Sequence, residues 1–182
     1  MAETTKVSEI SDQAIKDMLI QSVEKVFSTM LSLSISFKNF VVYPSDSQSP
    51  MPISPIPEGR PIVAGSVGFI GSINGVMYVY LDEDLAKRLT SSFLGMELQS
   101  IESEGPETVN DALGEITNMT VGTFKNQLCD MGFNCRLTIP SILRGNHFAI
   151  ESTFSSKIVR TSYRFETLGT PYVVDLLMKR GD

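Results

Sequence analysis

The chain has 182 residues, of which 42% are hydrophobic and 20% charged, with a net charge of −6. That is enough for one compact core, and the acidic balance argues against a nonspecific binder of nucleic acid or anionic membrane. Two cysteines, Cys129 and Cys135, make no disulfide framework. With His147 as the one histidine, a zinc site of the usual Cys/His types is hard to assemble. No apolar run reaches the roughly 18 residues of a spanning helix. The opening MAETTKVSEISDQ lacks a basic region followed by an apolar one, so the expectation is a cytoplasmic protein that binds neither nucleic acid nor membrane.

In chain order, the helical period of Ile15, Leu19, Val23, Val26, Phe27 and Met30 predicts a helix over 8–31, with Ser8 or Ser11 as its cap. A β-branched and aromatic stretch predicts a strand over 33–43. Six of the nine prolines then fall within 44–61, at 44, 50, 52, 55, 57 and 61. So many missing donors forbid a packed element, and the segment reads as a solvated excursion. Strands over 62–73 and 76–81 flank Asn74-Gly75, a pair that favours a type I′ turn. Asp82-Glu83-Asp84 opens a helix through Phe93, ended by Gly95. An acidic connection over 100–106 leads to a central helix over 107–131, with Gly132 as its C-terminal signal. Strands are expected over 133–139, 147–154, 157–167 and 171–178, the last two joined at Gly169 as a hairpin.

The chain reads as a single domain, 1–182, built from two halves, about 8–95 and 105–180. Each half has a long helix followed by strands. Glu24-Lys25-Val26-Phe27 in the first helix would then correspond to Glu115-Ile116-Thr117-Asn118 in the second, with only the second keeping a polar pair.

The central helix carries the chemistry. At about 100° per residue, Asp111, Glu115, Asn118 and Gly122 stack into one stripe, continued by Lys125, Asn126 and Cys129. Ala112, Leu113, Ile116, Met119 and Phe124 fall on the other side. Asn, Gly114 and Gly122 are poor helix formers, each glycine costing roughly 1 kcal/mol relative to Ala. A helix that keeps all three sacrifices stability for something else, and the flat polar stripe is one on which a second macromolecule could lay its backbone or a phosphoryl group. Glu-x-x-Asn by itself is also common on solvated helices. No P-loop exists, Gly65, Gly68 and Gly71 do not form a dinucleotide fingerprint, and Cys135-Arg136 lacks the loop of a cysteine phosphatase.

The pattern Asp111-x-x-x-Glu115-x-x-Asn118, followed by Pro140, resembles the CheC/CheX/FliY family of chemotaxis phosphatases. Gly122, Lys125, Leu128 and the turn Pro140-Ser141-Ile142-Leu143-Arg144-Gly145 also resemble it. A single Glu-x-x-Asn motif is similar to the CheX branch.

The resemblance implies an α+β, CheC-like fold: an antiparallel sheet with two long helices packed across it, built as an αβ pseudo-repeat. It implies hydrolysis of the aspartyl phosphate of a CheY-like response regulator, in chemotaxis or another two-component system. Glu115 and Asn118 would be the catalytic pair. Asp111, Gly122 and Lys125 would line the partner surface. The resemblance further implies a homodimer without a cofactor or metal of its own, the magnesium being supplied by the response regulator. Two other readings stay open: a non-enzymatic module that binds a receiver domain or a flagellar-motor component through the same stripe, and a dimeric scaffold with a merely solvated stripe.

Overall fold

The computed structural model describes residues 10–43, 60–146 and 158–179. Most of the proline-rich stretch, Ser8, His147 and the strand expected over 147–154 lie outside the described residues. Ser11 caps the first helix, α1 (Asp12–Met30), by accepting from the Ala14 amide at 3.2 Å. The edge strand β1 (Ser36–Tyr43) follows, then the hairpin β2 (Ile62–Gly71) and β3 (Gly75–Asp82). Asp82 caps α2 (Glu83–Leu94) through a 2.6 Å bond from the Leu85 amide, and Gly95 ends that helix in the left-handed region. A short helix, α3 (Leu98–Glu104), leads to α4 (Pro106–Asp130). The chain finishes with β4 (Cys135–Leu137), β5 (Ser141–Gly145), β6 (Ile158–Thr167) and β7 (Thr170–Lys179).

The seven described strands form one sheet in the order β1-β6-β7-β3-β2-β4, with β5 also pairing β2. Every described pairing is antiparallel. The hairpin β6–β7 is flanked by β1, and the hairpin β2–β3 is flanked by β4 and β5. Strand β1 thus pairs with a strand of the later hairpin, and β4 and β5 with a strand of the earlier one. The two long helices lie on one face. The main core forms between them and alternate strand residues, such as Val63, Val67 and Phe69 of β2 and Tyr172, Val174 and Leu176 of β7. Phe27 stacks on Tyr172, which in turn stacks on Phe165.

Three expectations need correction. The Asn74-Gly75 hairpin forms, but neither residue has a positive φ; Asn74 Oδ1 instead accepts from the Gly71 amide at 3.0 Å. The positive-φ pair is Leu168-Gly169, at 52° and 72°, between β6 and β7. The acidic connection contains α3, seated by the buried Ile101. The Pro140–Gly145 turn is largely the strand β5, held against β2. Phe27, read as the first half's structural counterpart of Asn118, is 1% exposed within the core, whereas Asn118 is half-buried on the outward face of its helix.

Candidate functional site

α4 is fixed to the rest of the molecule along its length. Pro106 occupies its first turn, where a missing N–H costs nothing. Arg144 of β5 reaches that turn: Nε donates to Asn110 Oδ1 at 2.7 Å, Nη2 to the Pro106 carbonyl at 3.4 Å and Nη1 to Glu83 Oε1 of α2 at 3.3 Å. At the other end Gln127 Nε2 donates to Ser22 Oγ and to the Met18 carbonyl of α1, at 2.8 and 3.1 Å. Between them the inward face buries Val109, Ala112, Leu113, Ile116, Val121, Phe124 and Leu128. Thr117 and Thr120 are also buried, their hydroxyls donating to the carbonyls of Leu113 and Ile116 at 2.7 and 2.8 Å.

The predicted stripe emerges on the outward face. Asp111 and Glu115 are exposed, and Asn118, Gly122 and Lys125 are half-buried. Among the described residues, the side chains of Asp111, Glu115 and Asn118 have no hydrogen bond or ion pair within the chain. Lys125 Nζ donates to Asn126 Oδ1 at 3.1 Å. Met119, expected to face inward, is half-buried at the margin of the core. Pro140 lies alongside: a Cβ on Gly114 would stand 3.8 Å from the Pro140 Cβ, and one on Gly122 would stand 3.7 Å from Leu137 Cδ1. These are ordinary contacts, so neither glycine is required by intramolecular crowding.

Chemically the stripe offers an amide with both a donor and an acceptor free, one helical turn from a free carboxylate. An amide can place a water without changing its own protonation. Among the described residues no group of three or more His, Cys, Asp and Glu side chains could hold a metal ion. A cavity of about 240 Å³ lies at the N-terminal end of α4, lined by Glu83, Lys87, Ile101, Glu102, Gly105, Pro106, Val109 and Arg144, and none of the stripe residues reaches it.

Two features went unread in the sequence. The role of Arg144 is one: the sequence marked it only as part of the 140–145 turn, with nothing to show its contacts to α2 and α4. The other is the meeting of Cys129 with Cys135 at the stripe's far end. Burial and the neighbouring Cys129 push the Cys135 thiol above its ordinary pKa, against the pull of Lys125. Both cysteines are free.

The family described as "Chemotaxis phosphatase CheX" matches residues 63–164, a span that holds Asp111, Glu115, Asn118 and Pro140. Solved structures share the fold. A chemotaxis protein CheX from Desulfovibrio desulfuricans aligns at 22% identity with a TM-score of 0.71, over 91% of this chain and 99% of that one. A CheC-like superfamily protein from a Shewanella species aligns at 20% identity with a TM-score of 0.72, over 93% and 99%. The CheX-CheY-BeF3-Mg+2 complex from Borrelia burgdorferi aligns at 19% identity with a TM-score of 0.66, over 91% and 98%. No curated protein matches the chain. With the family match spanning more than half the chain and covering the whole polar motif, this protein belongs to the CheX family of chemotaxis phosphatases.

Proposed function

We propose that this protein accelerates hydrolysis of the aspartyl phosphate on a CheY-like response regulator, in chemotaxis or a related two-component pathway. The observation that carries this reading is the pair Glu115 and Asn118, outward on a helix fixed at both ends and unengaged by any described residue. The family match and the likeness to a CheX-CheY complex support it. The site's form supports it too, since an open stripe suits a substrate carried on another protein's surface.

An acyl phosphate is already electrophilic, and the receiver domain's own magnesium and lysine offset the charge on its oxygens. What the second protein can add is a water held in line with the scissile bond. The Asn118 carboxamide can accept from and donate to that water. Glu115, one turn away, pairs with a cation of the receiver and fixes its register. Asp111, Gly122 and Lys125 complete the docking surface. No covalent intermediate and no metal of this chain enters the scheme. An effect of about 10²-fold, roughly 3 kcal/mol, is within reach of one well-placed polar group.

The test is the phosphate lifetime on a receiver domain from the same source. Wild-type protein should shorten it, and Asn118→Ala should not. Binding with an unchanged lifetime would instead support a non-enzymatic module.

The same reading includes a homodimer. The edge strand β1 exposes Phe40, Val41 and Val42, an apolar edge that natural sheets rarely leave open. Pairing of β1 with its copy would cover it. Sedimentation at micromolar concentration should give twice the monomer mass, and Val41→Lys should reduce it to the monomer.

A further inference from the structure

Ile139 is 84% exposed, against 52% for Ile70, the next most open large apolar side chain among those described. An isoleucine so open commonly sits on a slack loop, but this one does not. On one side the Thr138 amide donates to the Gly68 carbonyl at 2.9 Å, and the Thr138 hydroxyl accepts from the Gly68 amide at 2.9 Å. On the other side Pro140 restricts the backbone and rests beside Gly114, the residue before Glu115. Ser141 then enters β5 opposite Ser66. The isoleucine is therefore held out into solvent from a pinned crest, one residue from the wall of the Glu115/Asn118 stripe.

We infer that Ile139 is an apolar anchor for the receiver domain that docks on this stripe, and so a determinant of partner affinity. This rests on the receiver-docking part of the proposed function. Pro140 lies beside Gly114, one residue from Glu115 and one helical turn before Asn118, so a receiver domain large enough to cover the stripe would extend to the adjoining Ile139. Stable protein contacts concentrate their affinity in a few rigid apolar or aromatic anchors beside polar groups. Here the anchor's backbone is already ordered, so docking loses little entropy there. The occupant is a receiver domain rather than a second copy of this chain, because the crest adjoins the polar stripe and the apolar edge suited to self-pairing is β1, across the sheet.

The experiment titrates full-length protein into a receiver domain from the same source, activated with beryllofluoride and magnesium. Ile139→Ser should weaken binding about tenfold, the scale of exposing one buried aliphatic side chain. Ile139→Leu should bind like wild type. At saturating protein, phosphate release by Ile139→Ser should match wild type, which separates anchoring from water placement. An unchanged Kd overturns the proposal. So does a change in self-association without a change in receiver binding. If wild type binds the receiver but leaves its phosphate lifetime unchanged, the catalytic reading alone falls and the Kd comparison still decides the role of Ile139. If wild type binds no receiver, both fall.

Discussion

Gly65 of β2 lies directly beneath Thr117 of α4: a Cβ built on Gly65 would overlap the Thr117 hydroxyl and press on its Cβ at 3.2 Å and on Leu113 Cγ at 3.4 Å. This is how the site helix comes to lie so close to the sheet. Gly65→Ala should therefore lift α4 and cost about 1–3 kcal/mol, the scale of an overpacked core. Thr117→Ala in the same chain should recover much of that loss. Denaturant midpoints of the two single variants and the double variant give the coupling, and additivity would mean the contact is not what spaces helix from sheet.

A glycine in the interior of a helix should be a liability, and at Gly122 the structure shows ordinary room for a methyl group. Gly122→Ala should raise stability by about 0.5–1 kcal/mol. If Gly122 lines the docking surface, the same variant should weaken receiver binding. A more stable protein with unchanged binding would remove Gly122 from that surface and leave its presence unexplained.

On the sheet face away from the helices, Asp175 is fully buried and accepts from Arg160 Nε at 2.8 Å and from the Ser162 hydroxyl. Asp175→Leu alone strands the Arg160 guanidinium and should cost about 3–5 kcal/mol. Arg160→Met combined with Asp175→Leu should regain most of it, because an apolar pair removes both desolvated charges. Thermal unfolding of the three variants checks this, and a double variant as weak as the single one would assign the pair a specific structural role.

The Cys135 thiol is raised by burial first and by Cys129 second. A raised thiol pKa means less thiolate at a given pH, so alkylation of Cys135 should reach half its limiting rate above the pH usual for a free cysteine. Cys129→Ser removes one cause and should shift that profile down. Lys125→Ala removes the opposing cation and should shift it up. Mass-resolved alkylation rates across pH distinguish these directions.

Much of this arrangement was legible in the residues. Alternation and helical periods placed both long helices and the two central hairpins, because those segments bury one regular face. The polar stripe was readable because Asp111, Glu115, Asn118 and Gly122 recur at the helical period. Turn chemistry was less reliable. Asn74-Gly75 lost its expected backbone geometry, because Asn74 caps the Gly71 amide and its carbonyl accepts from Lys179 of β7. α3 escaped notice because one buried residue, Ile101, seats it. Arg144 and Ile139 could not be ranked from sequence: one acts through contacts with α2 and α4, and the other matters only through its exposure beside Pro140.

The central claim is that the Asn118 amide places the attacking water, and its most direct measurement is the decay of receiver phosphate at saturating protein. Wild type should speed decay about 10²-fold, and Asn118→Ala should return it to the receiver's intrinsic rate while still binding. Equal decay with wild type and Asn118→Ala, both saturating, would contradict the account.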